Sequence, residues 1–181
     1  MNNSAALSIL LDVNHMVDAL KGHLVPQSVE ELLLLDTTAA EVAATNAATL
    51  LGSEHCLDLL EFVLQRDLGY TEDQAAMVAD LYYEVSDQTG GEWVTAEQGR
   101  ASADTLKLPP TFAGEGRGQV DFEDRQVLGA ALTQAHLGPV VVVTRDGGLH
   151  NIGHAVATER VQIMHARNLR VALRAIRKTR R

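Results

Sequence analysis

The sequence predicts an α/β protein: a three-layer α/β/α sandwich around a central, mostly parallel sheet. Three observations carry this expectation. Short apolar runs end at turn signals and alternate with helical stripes, the order that produces parallel strands joined by right-handed crossovers. Four consecutive valines, Val140 to Val143, cannot alternate between core and solvent, so they read as a strand buried on both faces. Aromatic residues make up only 4% of the chain, and abundant Ala and Leu favour closely packed helices over an all-β design.

Taken in order, Leu7 to Leu11 is an apolar strand that ends at Asp12, and Asn14 to Leu20 carries one apolar helical face until Gly22 and Pro26 break it. Residues 29–35 are too short for periodicity to decide between helix, strand, or one feeding the other. Asp36, Thr37 and Thr38 mark a helix start, and the helix is expected to run through residues 39–51 and stop near Gly52. Residues 53–68 repeat apolar positions at Cys56, Leu57, Leu60, Val63 and Leu64, with Gly69 as terminator. Thr71, Glu72 and Asp73 open a further helix over 72–85.

Residues 86–118 are less regular. Trp93 and Val94 suggest a short strand, residues 96–106 a weak helix interrupted by Gly99, and the Pro and Gly residues from 109 to 118 a surface loop. Regularity returns with a helix over 123–136, closed by Gly138-Pro139 ahead of the valine strand. A short helix over 150–157, a strand over 161–164 and a terminal helix from Ala166 complete the chain. No internal repeat is evident. The expected organisation is one domain, residues 1–165, with residues 166–181 as a basic helix or tail packed on it.

At 181 residues the chain can bury a continuous core, and its single cysteine, Cys56, excludes an intramolecular disulfide. The N-terminal apolar run is too short for a signal peptide or a membrane span, which makes the cytoplasm the expected location. Charge is uneven. Residues 1–159 hold all 24 acidic residues and 7 of the 15 basic ones, a net of about −17, whereas residues 160–181 hold 8 Lys or Arg and no acid. An acidic body repels phosphate backbones, so contact with nucleic acid is expected only locally, through bound cations and the basic tail. On that terminal helix Arg167, Arg170, Arg174, Arg177, Lys178 and Arg181 fall largely on one side.

Asp12 and Asp146 follow apolar strands, at the carboxyl edge where open α/β sheets place ligands. Glu41 and Asp124 sit in the first turns of helices that begin near that edge. Four carboxylates gathered there would repel one another unless a divalent cation neutralised them, and hard oxygen ligands suit Mg²⁺ or Mn²⁺. Such an ion lowers the pKa of a bound water for in-line attack on a phosphodiester. Structural roles compete: Thr38 with Glu41, and Asp121 with Asp124, have the spacing of capping boxes, and Asp12 and Asp146 can simply begin turns.

Four segments in order, Ile9-Leu10-Leu11-Asp12-Val13-Asn14, Thr37-Thr38-Ala39-Ala40-Glu41-Val42, Asp121-Phe122-Glu123-Asp124 and Val141-Val142-Val143-Thr144-Arg145-Asp146, resemble the signature segments of the PIN-domain nucleases. The resemblance implies a PIN-like fold over most of residues 7–165 and a metal-dependent endoribonuclease, with Asp12, Glu41, Asp124 and Asp146 as catalytic metal ligands. It also implies Asn14 and Thr144 as supporting residues. Read from the residues alone, Arg145 can touch an RNA phosphate or pair with a neighbouring acid, and the stripe with Arg167, Arg170 and Arg174 can hold an RNA backbone or pair with the acidic body or an acidic partner. Many family members resemble VapC, the toxin half of toxin–antitoxin pairs, which implies an antitoxin partner and a homodimer. The sequence departs from the family at Val13, where Thr or Ser is usual, and at His15, where an apolar residue is usual. The alternatives are a non-catalytic PIN-like interaction protein, or a small-molecule phosphohydrolase. The latter chemistry usually needs an Asp at position 14, which is Asn here.

Overall fold

The computed structural model describes residues 7–108, 119–156 and 160–179. Strand β1 (Leu7–Leu11) is followed by α1 (Val13–Leu20), with Asp12 between them in extended conformation. The ambiguous stretch is helical, α2 (Val29–Leu35), because Ser28 caps its N-terminus by accepting a hydrogen bond from the Glu31 N–H. Helix α3 (Thr37–Ala43) starts at a different cap from the one anticipated. Asp36, and not Thr38, accepts from Thr38 N and Ala39 N, at 2.9 and 3.0 Å.

Helix α3 is also shorter than its Ala-rich sequence predicts. It ends at Ala43, and β2 (Ala48–Leu50) and β3 (Gly52–Ser53) follow. Alanine favours helix only weakly, and pairing Ala48–Leu50 against β1 buries Ala48 and Leu50 in the core, which outweighs that preference. Then come α4 (Glu54–Leu68), stopped by Gly69 at φ +70°, and α5 (Glu72–Gln88), opened by a Thr71–Gln74 capping box. Strand β4 (Trp93–Val94) and α6 (Ala96–Asp104) follow, the helix passing through Gly99 without interruption. The expected loop over 109–118 lies outside the described residues.

Helix α7 (Phe122–Ala135), β5 (Val140–Val143), α8 (Gly147–Val156), β6 (Val161–Met164) and α9 (Ala166–Thr179) complete the fold. The main sheet has the order β2-β1-β5-β6 and every pairing in it is parallel. A second parallel pair joins β3 to β4. Layers of helix cover the sheet, giving the three-layer α/β/α architecture that the sequence predicts. The valine strand is interior, paired on both sides and buried at all four positions. Helix α9 inserts Leu169 and Leu173 into the core and packs against α3. No helix among the described residues is long and apolar enough to cross a membrane.

Candidate functional site

Register decides what meets at the sheet edge. Leu11 pairs with Val143, so Asp12 and Thr144 emerge side by side at the carboxyl ends of neighbouring parallel strands. The Thr144 hydroxyl, fully buried, donates to Asp12 Oδ2 at 2.6 Å and accepts from the Asp146 N–H at 2.9 Å. One hydroxyl therefore ties together the residues that end both strands. Burial pushes the Asp12 carboxyl above its ordinary range, against hydrogen bonds from Thr144, the Val13 backbone and Asn14 that lower it, and the Asp146 charge pushes the same way as burial.

Asp124 comes to the same place from α7. Asp121 caps that helix, accepting from Asp124 N at 2.9 Å, while Asp124 Oδ2 accepts from Asp121 N at 3.4 Å. The capping box anticipated as a structural alternative is thus present. It does not exhaust the residue, because burial together with the charges of Asp146, Asp121 and Asp12 pushes the Asp124 carboxyl up to about 8. Three of the four expected acids share one electrostatic neighbourhood.

Glu41 does not join them through any hydrogen bond. Its Oε1 accepts from Arg174 Nε at 2.5 Å, an ion pair that fastens α3 to α9. This contact occupies both an expected ligand and an expected RNA contact. Arg145 pairs with Asp18 of α1, and Arg170 donates to Thr37 Oγ1 at the start of α3. Arg145, Arg167 and Arg170 line a common cleft. The side chains of Arg177, Lys178 and Arg181 lie outside the described residues.

The expectation of Mg²⁺ or Mn²⁺ is corrected. Among the described residues no group of three or more His, Cys, Asp or Glu side chains is arranged to hold a metal ion. One oxygen of each of the four acids is engaged by another partner. Asp146 Oδ1 is turned into the start of α8, accepting from Gly148 N at 2.6 Å and Leu149 N at 3.1 Å. Asp12 Oδ2 is held by Thr144, Asp124 Oδ2 faces its own helix terminus, and Glu41 faces Arg174. Charges repel across several ångströms, whereas shared coordination of Mg²⁺ requires ligand oxygens about 2.0–2.1 Å from one ion. The carboxylates meet the first condition and not the second.

Two participants escaped the sequence reading. Asp36, expected only to mark a helix start, anchors a buried network: besides its two backbone bonds it meets His15 Nε2 at 3.2 Å and accepts from the Tyr82 hydroxyl at 2.9 Å. Burial pushes Asp36 upward, but the His15 bond and charge with the other donors outweigh it and leave the carboxyl below its ordinary value. The other is His165, stacked on His150 with ring centroids 3.9 Å apart. The Asp36-Thr-Thr sequence signalled the cap; nothing local pointed to Tyr82 or His165.

The architecture is that of a Rossmannoid-like α/β/α protein with a parallel sheet, a class consistent with the PIN family and with hydrolases generally, without being specific to either. In comparisons with known proteins the chain matches no family model, no curated protein and no solved structure.

Proposed function

We propose that the protein is an endoribonuclease that hydrolyses RNA phosphodiester bonds at the carboxyl edge of β1 and β5. One observation supports this above the others: Asp12, Asp124 and Asp146, acids in the order of the PIN signature segments, come close enough together that the Asp146 charge helps to raise the Asp12 and Asp124 carboxyls. Hydrolysis needs a proton taken from the attacking water as its oxygen bonds to phosphorus, and a proton given to the oxygen that leaves. We assign the first task to Asp146. Asp124, protonated near neutral pH, suits the second. Asn14 and Thr144 hold Asp12 in place, and Glu41, paired with Arg174, contributes by fixing α3 against α9.

Purified protein should cleave single-stranded or structured RNA, and Asp12→Asn and Asp146→Asn should each lower the rate by about 10²-fold or more. Undiminished cleavage by both variants would overturn the reading. Within it, the likeness to VapC makes an antitoxin and a second protomer the natural partners: expression should arrest growth, and Asp146→Asn should relieve the arrest. A second reading, a PIN-like interaction protein without catalysis, is favoured by the hydrogen bonds that already occupy each acid. Turnover of a simple phosphomonoester with no action on RNA would instead identify a small-molecule phosphohydrolase.

A further inference from the structure

Near the end of the strands that bears the acids lies a cleft of about 360 Å³, bounded by α1, the start of α3, the loop after β5 and the start of α9. Arg145 enters it from the loop after β5 and Arg167 and Arg170 from α9, with His15 and His165 on its walls and Leu35 among its apolar lining residues. Two carboxylates also line it. Asp36 is fully engaged with two backbone N–H groups, His15 and Tyr82, and Asp18 is held by Arg145. Three guanidinium groups against two carboxylates, one of them paired with Arg145, leave an excess of positive charge here in a chain of formal net charge −9.

A guanidinium has five N–H donors in a planar fork, so the single contacts to Asp18 and Thr37 leave Arg145 and Arg170 with further donors. Such forks match the geometry of phosphate oxygens. The volume lies within the range of about 300–1,000 Å³ typical of small-ligand sites, enough for a phosphate with its ribose. Arg145 immediately precedes Asp146, and His15 stands in the first turn after Asp12, so the cleft and the acids share one end of the strands.

We propose that this cleft is a phosphate subsite that seats the RNA backbone phosphate next to the one being cleaved, giving an acidic protein a local hold on a polyanion. The choice of RNA as the source of the phosphate rests on the function proposed above; the preference for a phosphate does not. In this arrangement the arginines position the strand and the carboxylates are spared contact with the neighbouring charge.

Adenosine 5′-monophosphate and adenosine are the probes, titrated into the full chain while the ring-proton signals of His15 and His165 are followed by NMR. The nucleotide should shift both signals and the nucleoside neither, and Arg167→Ala and Arg170→Ala should each weaken nucleotide binding by roughly tenfold. Arg66→Ala, on α4 and outside the cleft lining, should bind as the parent does. No binding by the parent chain, equal binding of adenosine, or unaltered binding by both cleft variants would overturn the proposal. Arg167 is exposed, so its variant tests the cleft even where Arg170→Ala fails to fold. A short RNA oligonucleotide should displace the nucleotide; failure to do so would overturn the backbone assignment. Binding without RNA cleavage would sink the nuclease reading and leave the phosphate site, whereas cleavage without binding would do the reverse.

Discussion

Thr144 carries more of the candidate site than its size suggests, because its one hydroxyl both donates to Asp12 and accepts from the Asp146 backbone. Replacing it with the near-isosteric Val keeps the volume and removes both bonds. Asp12 is then left buried with one donor fewer, and an unsatisfied buried group costs about 1–3 kcal/mol. Thr144→Val should therefore lower the unfolding free energy by an amount in that range, read as a lower urea midpoint, and RNA cleavage should fall with it. A midpoint equal to the parent's would show that the hydroxyl is dispensable. The residue was legible in the sequence as the polar member after four valines. Its partner was legible only if β1 and β5 were neighbours, which local pattern does not establish. Glu41 shows the converse: expected in the first turn of a helix, it lies beyond the first turn of α3, and its ion pair with Arg174 depends on the docking of α9 and could not be read locally.

Among the elements, α6 and α7 approach most closely where two glycines face each other. A Cβ at Gly129 would lie 2.1 Å from the Gly99 carbonyl oxygen, whereas a Cβ at Gly99 would meet nothing nearer than 3.6 Å. Helix propensity alone favours Gly→Ala by up to about 1 kcal/mol at either position. At Gly129 the clash is with backbone and cannot be relieved by a rotamer change, so overpacking of about 1–3 kcal/mol prevails. Gly129→Ala should destabilise and Gly99→Ala should be neutral or mildly stabilising, as read from thermal unfolding; equal effects would contradict the asymmetry. From the sequence alone Gly99 reads as an interruption of α6. Propensity penalises glycine in a helix by up to about 1 kcal/mol, too little to break one held by the Thr95–Gln98 capping box and by packing on α7. Propensity likewise extends α3 through residues 44–51, where the gain from pairing with β1 is non-local.

For the molecule as a whole, two buried carboxylates shape stability against pH in opposite directions. Asp36 is below its ordinary value in the folded state, so its contribution is present above the unfolded pKa and is lost as pH falls through the folded one. Asp124 is raised to about 8 in the folded state, with burial the largest cause. Between the unfolded value near 4 and about 8 the native chain keeps a proton that the unfolded chain has released, so stability declines as pH rises across that window. Asp12, also raised, acts in the same sense. Maximum stability should accordingly lie on the acid side of neutrality. Asn at position 124 can still accept from Asp121 N and carries no charge, so it removes the penalty while keeping the cap. Compared with the parent by urea unfolding, Asp124→Asn should gain little near pH 5 and progressively more toward pH 9. A difference that stays constant from pH 5 to 9 would mean that the acids do not share a common field, and would remove the main support for a catalytic role at the strand ends. Loss of RNA cleavage in a variant more stable than its parent would separate function from folding, since the carboxylate that weakens the folded chain at neutral pH is then the one the reaction requires.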